Sequence, residues 1–288
     1  MKKKLTRFDL QKKKDEGEKV VWMTAYDFPT AKLAEEAGLD MLLVGDSLGM
    51  ALYGYQGTVP VTMDQCIFHS EAVRRGAPNT FVIGDMPFGS YQVSVEDAVR
   101  SAIRFHKEAG VDCVKLEGGK RVSHIIRAIT DGGMLVMGHV GLTPQSSGVL
   151  GGFKAQGRTA DSALAVLEDA HAVYEAGAFS ILVEAVPPEV TRIIMQELPI
   201  PVYGIGAGQC DGQVMICSDI LGIFQAFTPK FVKRYGNLAA EMLKVFQSYA
   251  ADVRGGDFPG EDHVYAMVEG ELDRLLEMRR KSKSQTQI

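Results

Sequence analysis

Three acidic residues follow three successive short apolar runs of the chain. Asp46 follows MLLVG, Asp85 follows FVIG and Glu117 follows CVKL. If these runs are neighbouring strands of a parallel barrel, their carboxyl ends meet at one rim, where the loops that follow the strands build active sites. Carboxylates gathered there repel one another unless a cation balances them, and oxygen ligands without a matching His/Cys set favour Mg²⁺ over Zn²⁺. Otherwise each acid only caps a helix or lies in a loop.

Two further polar groups lie in the same strand ends. Lys115 and Glu117 are two residues apart, so they point to the same side of their strand, while Leu116 points into the helix layer. A charged pair facing a barrel interior is costly unless something pairs with it, so Lys115 is a candidate ligand for a substrate carboxylate. A structural ion pair is the alternative. His139 ends a later run, MGHVG, and is interpreted as a pocket residue.

Glu184 ends the apolar run SILVE and is the candidate general base. If it faces the barrel interior, loss of water makes its carboxylate better able to take a proton. An acid held by a salt bridge is the alternative.

Ser47 follows Asp46, and this acid–hydroxyl pair either serves a site or caps a helix. The later motif GIGAG resembles glycine turns that hold phosphate in barrels, or it only allows tight turns.

The elements that would position these residues alternate regularly. Continuous apolar runs are typical of strands covered on both faces, and helical patterns follow most of them. This alternation predicts a (β/α)₈ barrel; an open doubly wound sheet is the alternative, but no G-x-G-x-x-G follows the first strand. The predicted strands are residues 20–26, 41–45, 81–84, 111–116, 135–140, 181–186 and 202–205, with an eighth within 214–221.

The predicted helices and loops complete a single catalytic domain. The segments 48–61 and 143–158 are long loops that could close over the site. We expect an N-terminal extension at 1–18, the barrel at 19–262, and a C-terminal helix at 263–278 followed by a disordered tail to 288. The expected helices are residues 6–16, 29–37, 63–75, 94–109, 122–129, 159–176, 189–198 and 238–253.

Composition excludes several functional classes. The 288 residues are 46% hydrophobic, enough for one barrel core, and the net charge of −5 gives no footprint for nucleic acid. No apolar run reaches membrane-spanning length. No apolar stretch typical of a secretory signal follows the N-terminal lysines, so we expect no such signal. The four cysteines have no C-x-x-C spacing and are interpreted as free thiols of a cytoplasmic protein.

The motifs also resemble a known family. In order, VGDSLGM, GDMPFGSY, VKLEGG, GHVGLTPQ, VEAVP and GIGAG resemble the ketopantoate hydroxymethyltransferases, and TAYDFPTAKL and FPGEDH fit as well. The resemblance covers about residues 5–263. The largest departures are the lysine-rich N-terminus and the segment 209–228.

The resemblance implies a barrel of the phosphoenolpyruvate/pyruvate-binding type and a specific reaction. Such enzymes transfer a hydroxymethyl group from 5,10-methylenetetrahydrofolate to 3-methyl-2-oxobutanoate, giving 2-dehydropantoate on the route to pantothenate and coenzyme A. The intermediate is an enolate stabilised by Mg²⁺ or another divalent ion, and the enzymes commonly form homodecamers. Carried over to this chain, the metal ligands are Asp46, Asp85 and Glu117, the substrate contacts are Ser47, Asp85 and Lys115, and the base is Glu184.

Three other functions fit part of the pattern. A Mg²⁺-dependent 2-oxo-acid lyase of a related barrel would use the same strand-end acids without folate. A non-catalytic ligand-binding barrel would have no turnover to lose on substitution of Glu184. A phosphosugar enzyme would use GIGAG to bind phosphate.

Overall fold

The computed structural model describes residues 3–285 and contains a closed barrel of eight parallel strands. Each strand pairs with the next along the chain, and β1 pairs with β8 through Trp22 opposite Val214. The predicted barrel is therefore confirmed. The strands are β1 Val20–Thr24, β2 Met41–Val44, β3 Phe81–Asp85, β4 Cys113–Glu117, β5 Val136–Gly141, β6 Ser180–Glu184, β7 Val202–Ile205 and β8 Gly212–Met215.

Helices precede the barrel, connect its strands and follow it. They are α1 Arg7–Asp15, α2 Phe28–Glu36, α3 Leu48–Ala51, α4 Met63–Gly76, α5 Val95–Lys107, α6 Ser123–Asp131, α7 Ser147–Leu150, α8 Ala160–Glu175, α9 Pro188–Glu197, α10 Cys217–Ile220, α11 Leu238–Gly255 and α12 Glu271–Gln285. Short 3₁₀ turns lie at Lys120–Val122, Pro144–Ser146 and Glu261–His263. No helix described within residues 3–285 has the length and apolar character needed to span a membrane.

Alternation along the strands divides the core into two layers. Leu43 and Ile83 pack inside the barrel with the rings of Trp22 and Tyr203, whose centroids are 5.5 Å apart. Leu42 points the other way, into the layer between strands and helices. Because apolar side chains are needed on both faces, the strands read as unbroken apolar runs.

The expected loops 48–61 and 143–158 contain the short helices α3 and α7, and two further segments differ from their predicted positions. β8 begins at Gly212, before the expected range of 214–221, because its position is set by pairing with β1, and much of the remaining apolar run forms α10. The C-terminal helix begins at Glu271 and continues to Gln285, although residues 279–288 were expected to be disordered. Its Arg, Lys and Gln residues are good helix formers, and Glu277 lies 3.9 Å from Lys281 one turn later. Residues 286–288 lie outside the described chain.

The described residues form two compact units, which divide after Gly236. The first contains all eight strands and α1 to α10. The second contains α11, the last 3₁₀ turn and α12. The helix expected at 238–253 is present as α11.

Helix α8 packs so closely against Gly138 of β5 that no side chain fits at this position. A Cβ at this position would lie 2.1 Å from Cγ1 of Val173, which is fully buried on α8. We expect Gly138→Ala to lower the free energy of unfolding by about 1–3 kcal/mol, because the added methyl group overpacks the layer. The measurement is the midpoint of urea unfolding followed by circular dichroism.

Gly148→Ala is the matched control, since a Cβ there has no heavy atom within 4 Å. It should leave the midpoint nearly unchanged. Adding Val173→Ala to Gly138→Ala should cost less than the sum of the two single changes, because the smaller side chain makes room for the new methyl group. Strict additivity would mean that this contact is not the cause.

Candidate functional site

The carboxyl ends of five successive strands bring ionisable side chains into one cavity of about 860 Å³. They come from β3, β4, β5 and β6 and from the residue two after the end of β2. Five of these side chains are almost completely buried, and 15% of the Glu184 side chain remains exposed. The six are Asp46, Asp85, Lys115, Glu117, His139 and Glu184.

Lys115 lies at the centre of the charged cluster. Its Nζ is 2.7 Å from Oδ1 of Asp85 and 3.6 Å from Oε1 of Glu117. The predicted orientation is confirmed, because Lys115 and Glu117 share one side of β4 while Leu116 packs in the helix layer. Burial opposes the charge on Lys115, but the surrounding carboxylates outweigh it and raise the pKa of this amine.

His139 joins the two acids on either side of it. Its Nδ1 lies 3.4 Å from Oε1 of Glu117, and its Nε2 lies 3.1 Å from Oε2 of Glu184. Burial and the charge of Lys115 oppose protonation, but the hydrogen bonds to the two carboxylates outweigh them and raise the pKa of His139 to about 9. The histidine is therefore a cation at neutral pH, and it holds Glu184 against the barrel rim.

The three strand-end acids differ in their surroundings. Burial raises the pKa of Asp46 well above its usual value, and the charges of Asp85 and Glu117 add to this effect. Burial also raises the pKa of Asp85, against the opposing effect of Lys115. Glu117 has a lowered pKa despite its burial, because Lys115 and His139 stabilise its charge.

Gln145, at the start of the loop after β5, contacts two of these acids. Its side-chain Nε2 donates to Oδ2 of Asp46 at 2.9 Å, and its backbone N–H donates to Oε2 of Glu117 at 2.9 Å. The same Nε2 donates to the carbonyl of Met86 at 2.9 Å, and the hydroxyl of Tyr91 donates to its Oε1 at 2.7 Å. Because both polar atoms of the amide are occupied, its orientation is fixed.

The charge of the cluster fits a divalent cation. Four carboxyl groups, those of Asp46, Asp85, Glu117 and Glu184, surround only two basic side chains, Lys115 and His139, so full ionisation of the acids would need a further positive charge. Within residues 3–285, no three His, Cys, Asp or Glu side chains form a complete ligand set. Mg²⁺ usually keeps several waters and takes one or two protein carboxylates, so its chemistry matches these donors.

Comparison with known proteins identifies the family. The family model described as ketopantoate hydroxymethyltransferase matches residues 4–261. The chain belongs to this family. A 3-methyl-2-oxobutanoate hydroxymethyltransferase of Alkaliphilus metalliredigens is 65% identical over 96% of this chain and 99% of its own length. An enzyme of the same name from Heliobacterium modesticaldum is 50% identical over 93% of this chain and 97% of its own.

Solved structures outside the ketopantoate hydroxymethyltransferase family share the fold at low identity. A phosphonopyruvate hydrolase has a TM-score of 0.59 at 16% identity, covering 98% of each chain. A 2,3-dimethylmalate lyase, described as a member of the PEP mutase/isocitrate lyase superfamily, has a TM-score of 0.58 at 17% identity, again over 98% of each chain. These matches support the barrel fold.

The sequence-predicted residues converge in this ketopantoate hydroxymethyltransferase barrel. Ser47 also lines the cavity, and its Oγ lies 2.8 Å from the hydroxyl of Tyr26.

The GIGAG turn after β7 contains two glycines with positive φ. Gly206 and Gly208 have φ values of +63° and +80°, and a Cβ would clash with Phe231 at the first and with Pro188 at the second. Packing therefore explains these two glycines.

Gln145 and Tyr91 were not predicted to belong to the site. Both lie within family motifs, GHVGLTPQ and GDMPFGSY, but neither is ionised near neutral pH and neither is in a strand. The signal that could have found them is their place in these motifs, six residues after the end of β3 for Tyr91 and four after the end of β5 for Gln145. Only the folded loops bring them to Asp46 and Glu117.

Proposed function

We propose that this protein transfers a hydroxymethyl group from 5,10-methylenetetrahydrofolate to 3-methyl-2-oxobutanoate, giving 2-dehydropantoate. The observation that carries the proposal is the placement of Glu184 in the same cavity as the acid–lysine cluster. A base at the edge of a site that stabilises negative charge is what formation of an enolate from a 2-oxo acid requires. The names of the 65% and 50% identical relatives support the same substrate.

In this proposal the cluster divides into binding and proton-transfer groups. Asp46, Asp85 and Glu117 hold Mg²⁺ or another divalent ion, in part through water. When bound, the ion lowers the energy of the negative charge that develops on the keto oxygen. Ser47, Asp85 and Lys115 contact the substrate, and Lys115 supplies the positive charge for its carboxylate.

Glu184 removes the proton from C3 of the substrate. The neighbouring His139, a cation held by Glu117, keeps the carboxylate of Glu184 directed along the rim. The carbon nucleophile then attacks the one-carbon unit, which methylenetetrahydrofolate presents as an iminium, and forms the new carbon–carbon bond while the loops 48–61 and 143–158 restrict the entry of water. Water then supplies the hydroxyl group to the methylene carbon as its bond to the folate nitrogen breaks, and that nitrogen takes the proton, so that 2-dehydropantoate and tetrahydrofolate are released.

The remaining assignments concern the cellular compartment, the catalytic domain and the assembly of the protein. The cysteines, Cys66, Cys113, Cys210 and Cys217, are all buried and unpaired, which supports a reducing compartment such as the cytoplasm. The residues 19–262 are the proposed catalytic domain. The family resemblance supports a homodecamer, and light scattering of the purified protein would test that assembly.

The test is deuterium exchange at C3 of 3-methyl-2-oxobutanoate, followed by NMR in D₂O with and without Mg²⁺. We expect exchange that depends on the ion, and formation of 2-dehydropantoate when methylenetetrahydrofolate is added. A folded protein that gives no exchange with any divalent ion would contradict the proposal. Exchange followed by cleavage of a carbon–carbon bond without folate would favour a lyase.

A further inference from the structure

The outer part of the cavity differs in chemistry from the charged cluster. Its aromatic lining residues are all phenylalanines, and two of their rings, Phe224 and Phe227, meet edge to face at 5.5 Å. A small 2-oxo acid fills only a fraction of the 860 Å³ that the whole cavity offers. The outer chamber therefore has apolar room for a second, larger ligand. The phenylalanines are Phe153, Phe224, Phe227 and Phe231.

Two polar residues of α10, Ser218 and Asp219, line this chamber. Ser218 is 7% exposed, lines the cavity, and its Oγ has no hydrogen-bond partner among residues 3–285. Asp219, the next residue of α10, also lines the cavity. A buried hydroxyl without a partner costs free energy, so this position is suited to a ligand that supplies one.

Two basic side chains that line the cavity form no salt bridge within the described residues. Arg158 and Lys230 both line the cavity and are exposed, and neither forms a salt bridge to an acid within the described residues. Most charged pairs of the protein lie on its surface and neutralise each other. Two unpaired cations beside an aromatic chamber are suited to a ligand with an apolar body and an anionic tail.

We propose that this outer chamber binds the folate of the second substrate, an assignment that rests on the proposed function. The phenylalanines contact the flat pterin and aminobenzoyl rings. The adjacent donor groups of the pterin, its N3–H and 2-amino group, match the carboxylate of Asp219, while Ser218 bonds a ring atom. Arg158 and Lys230 bind the carboxylates of the glutamyl tail.

The first test is Phe227→Ala. Removal of one stacking ring is worth about 1–3 kcal/mol in other aromatic sites, so we expect KM for methylenetetrahydrofolate to rise roughly 10-fold. KM for the 2-oxo acid and the rate of folate-free C3 exchange should stay unchanged. Calorimetric titration with tetrahydrofolate, which carries no one-carbon unit, should show the same loss of affinity. Phe68→Ala is the control, because Phe68 is exposed and does not line the cavity.

The second test addresses the tail. Changing Arg158 and Lys230 to Gln should remove any preference for triglutamyl over monoglutamyl tetrahydrofolate. Normal folate affinity in Phe227→Ala, or an equal rise of KM for both substrates, would overturn the chamber assignment. Absence of C3 exchange in the unaltered protein would instead overturn the proposed function, so the two failures are distinguishable.

An independent observation, the contacts of Gln145, leads to a second inference. This residue, 5% exposed, holds one oxygen each of Asp46 and Glu117. We infer that Gln145 is a positioning residue: it directs the other oxygen of the Asp46 carboxylate toward the ion, fixes Glu117 against Lys115 and His139, and ties the loop after β5 to the site. Such partners of metal ligands typically change affinity about 10–100-fold when they are removed.

The test is the affinity for Mn²⁺, measured by electron paramagnetic resonance as the free-ion signal. We expect Gln145→Ala to weaken binding about 10–100-fold. Tyr91→Phe, which removes a hydroxyl that contacts the Gln145 amide and the Glu117 backbone but neither carboxylate, should weaken it less. Gln156→Ala is the control from the same loop, since its side chain donates only to the carbonyl of Lys154. Unchanged Mn²⁺ affinity in a folded Gln145→Ala variant would overturn the inference.

Discussion

Glu184→Gln is expected to slow C3–H exchange of 3-methyl-2-oxobutanoate by about 10²–10⁴-fold, the usual contribution of a positioned general base. The amide is close in size to the carboxylate, so its oxygen can occupy the position of Oε2 of Glu184, which lies 3.1 Å from Nε2 of His139. It cannot take a proton at neutral pH. Exchange measured by NMR in D₂O isolates this step, because it needs no folate.

The same variant should bind Mn²⁺ almost as tightly as the unaltered protein. Glu189→Gln is the matched control, because Glu189 is exposed in the first turn of α9 and does not line the cavity. Its exchange rate should be unchanged. If Glu184→Gln exchanges the proton at the original rate, another group is the base.

Asp46→Asn is expected to have opposite effects on metal binding and on stability. The affinity for Mn²⁺ should fall by more than about 10-fold, the loss that follows from merely disturbing the partner of a ligand. The metal-free protein should become more stable at neutral pH, because burial, Asp85 and Glu117 all oppose the charge on Asp46.

The sign follows from the raised pKa of Asp46. When a carboxyl group has a higher pKa in the folded than in the unfolded protein, the free energy of unfolding falls as the pH rises from the unfolded-state pKa through the folded-state pKa. An amide does not titrate, so Asn at this position avoids the loss. Urea unfolding without metal measures this effect. Asp161→Asn, on the first turn of α8, is the control for removing one negative charge. Unchanged ion affinity, or a less stable metal-free protein, would contradict the prediction.

The sequence predicted the position of the charged cluster because strand ends are marked locally. Asp85 and Glu117 are the last residues of β3 and β4, and Glu184 is the last residue of β6. Each follows a continuous apolar run, because both faces of a barrel strand are buried and need apolar side chains. Once the runs are assigned to a closed parallel sheet, geometry brings their ends together, so the convergence needed no knowledge of loop structure.

The parts that escaped prediction depend on contacts between distant residues. The four residues of β8 include Gly212 and Gln213, and only their pairing with Val20 and Val21 makes them a strand. Gln145 reaches Asp46 across 99 positions of sequence through a loop whose path no local pattern encodes. Its position depends on the acceptors of Asp46, Met86 and Glu117 and on the hydroxyl of Tyr91, which meet only in the folded barrel.

The pairing of β1 with β8 has a consequence for how the chain folds during synthesis. Trp22 and Val214 face each other from positions roughly 190 residues apart, so the sheet cannot close until β8 has left the ribosome. Before then, a nascent chain that has formed β1 to β7 has two open sheet edges, which can pair with other chains. Folding assistance would therefore matter most in the interval before residue 215 emerges.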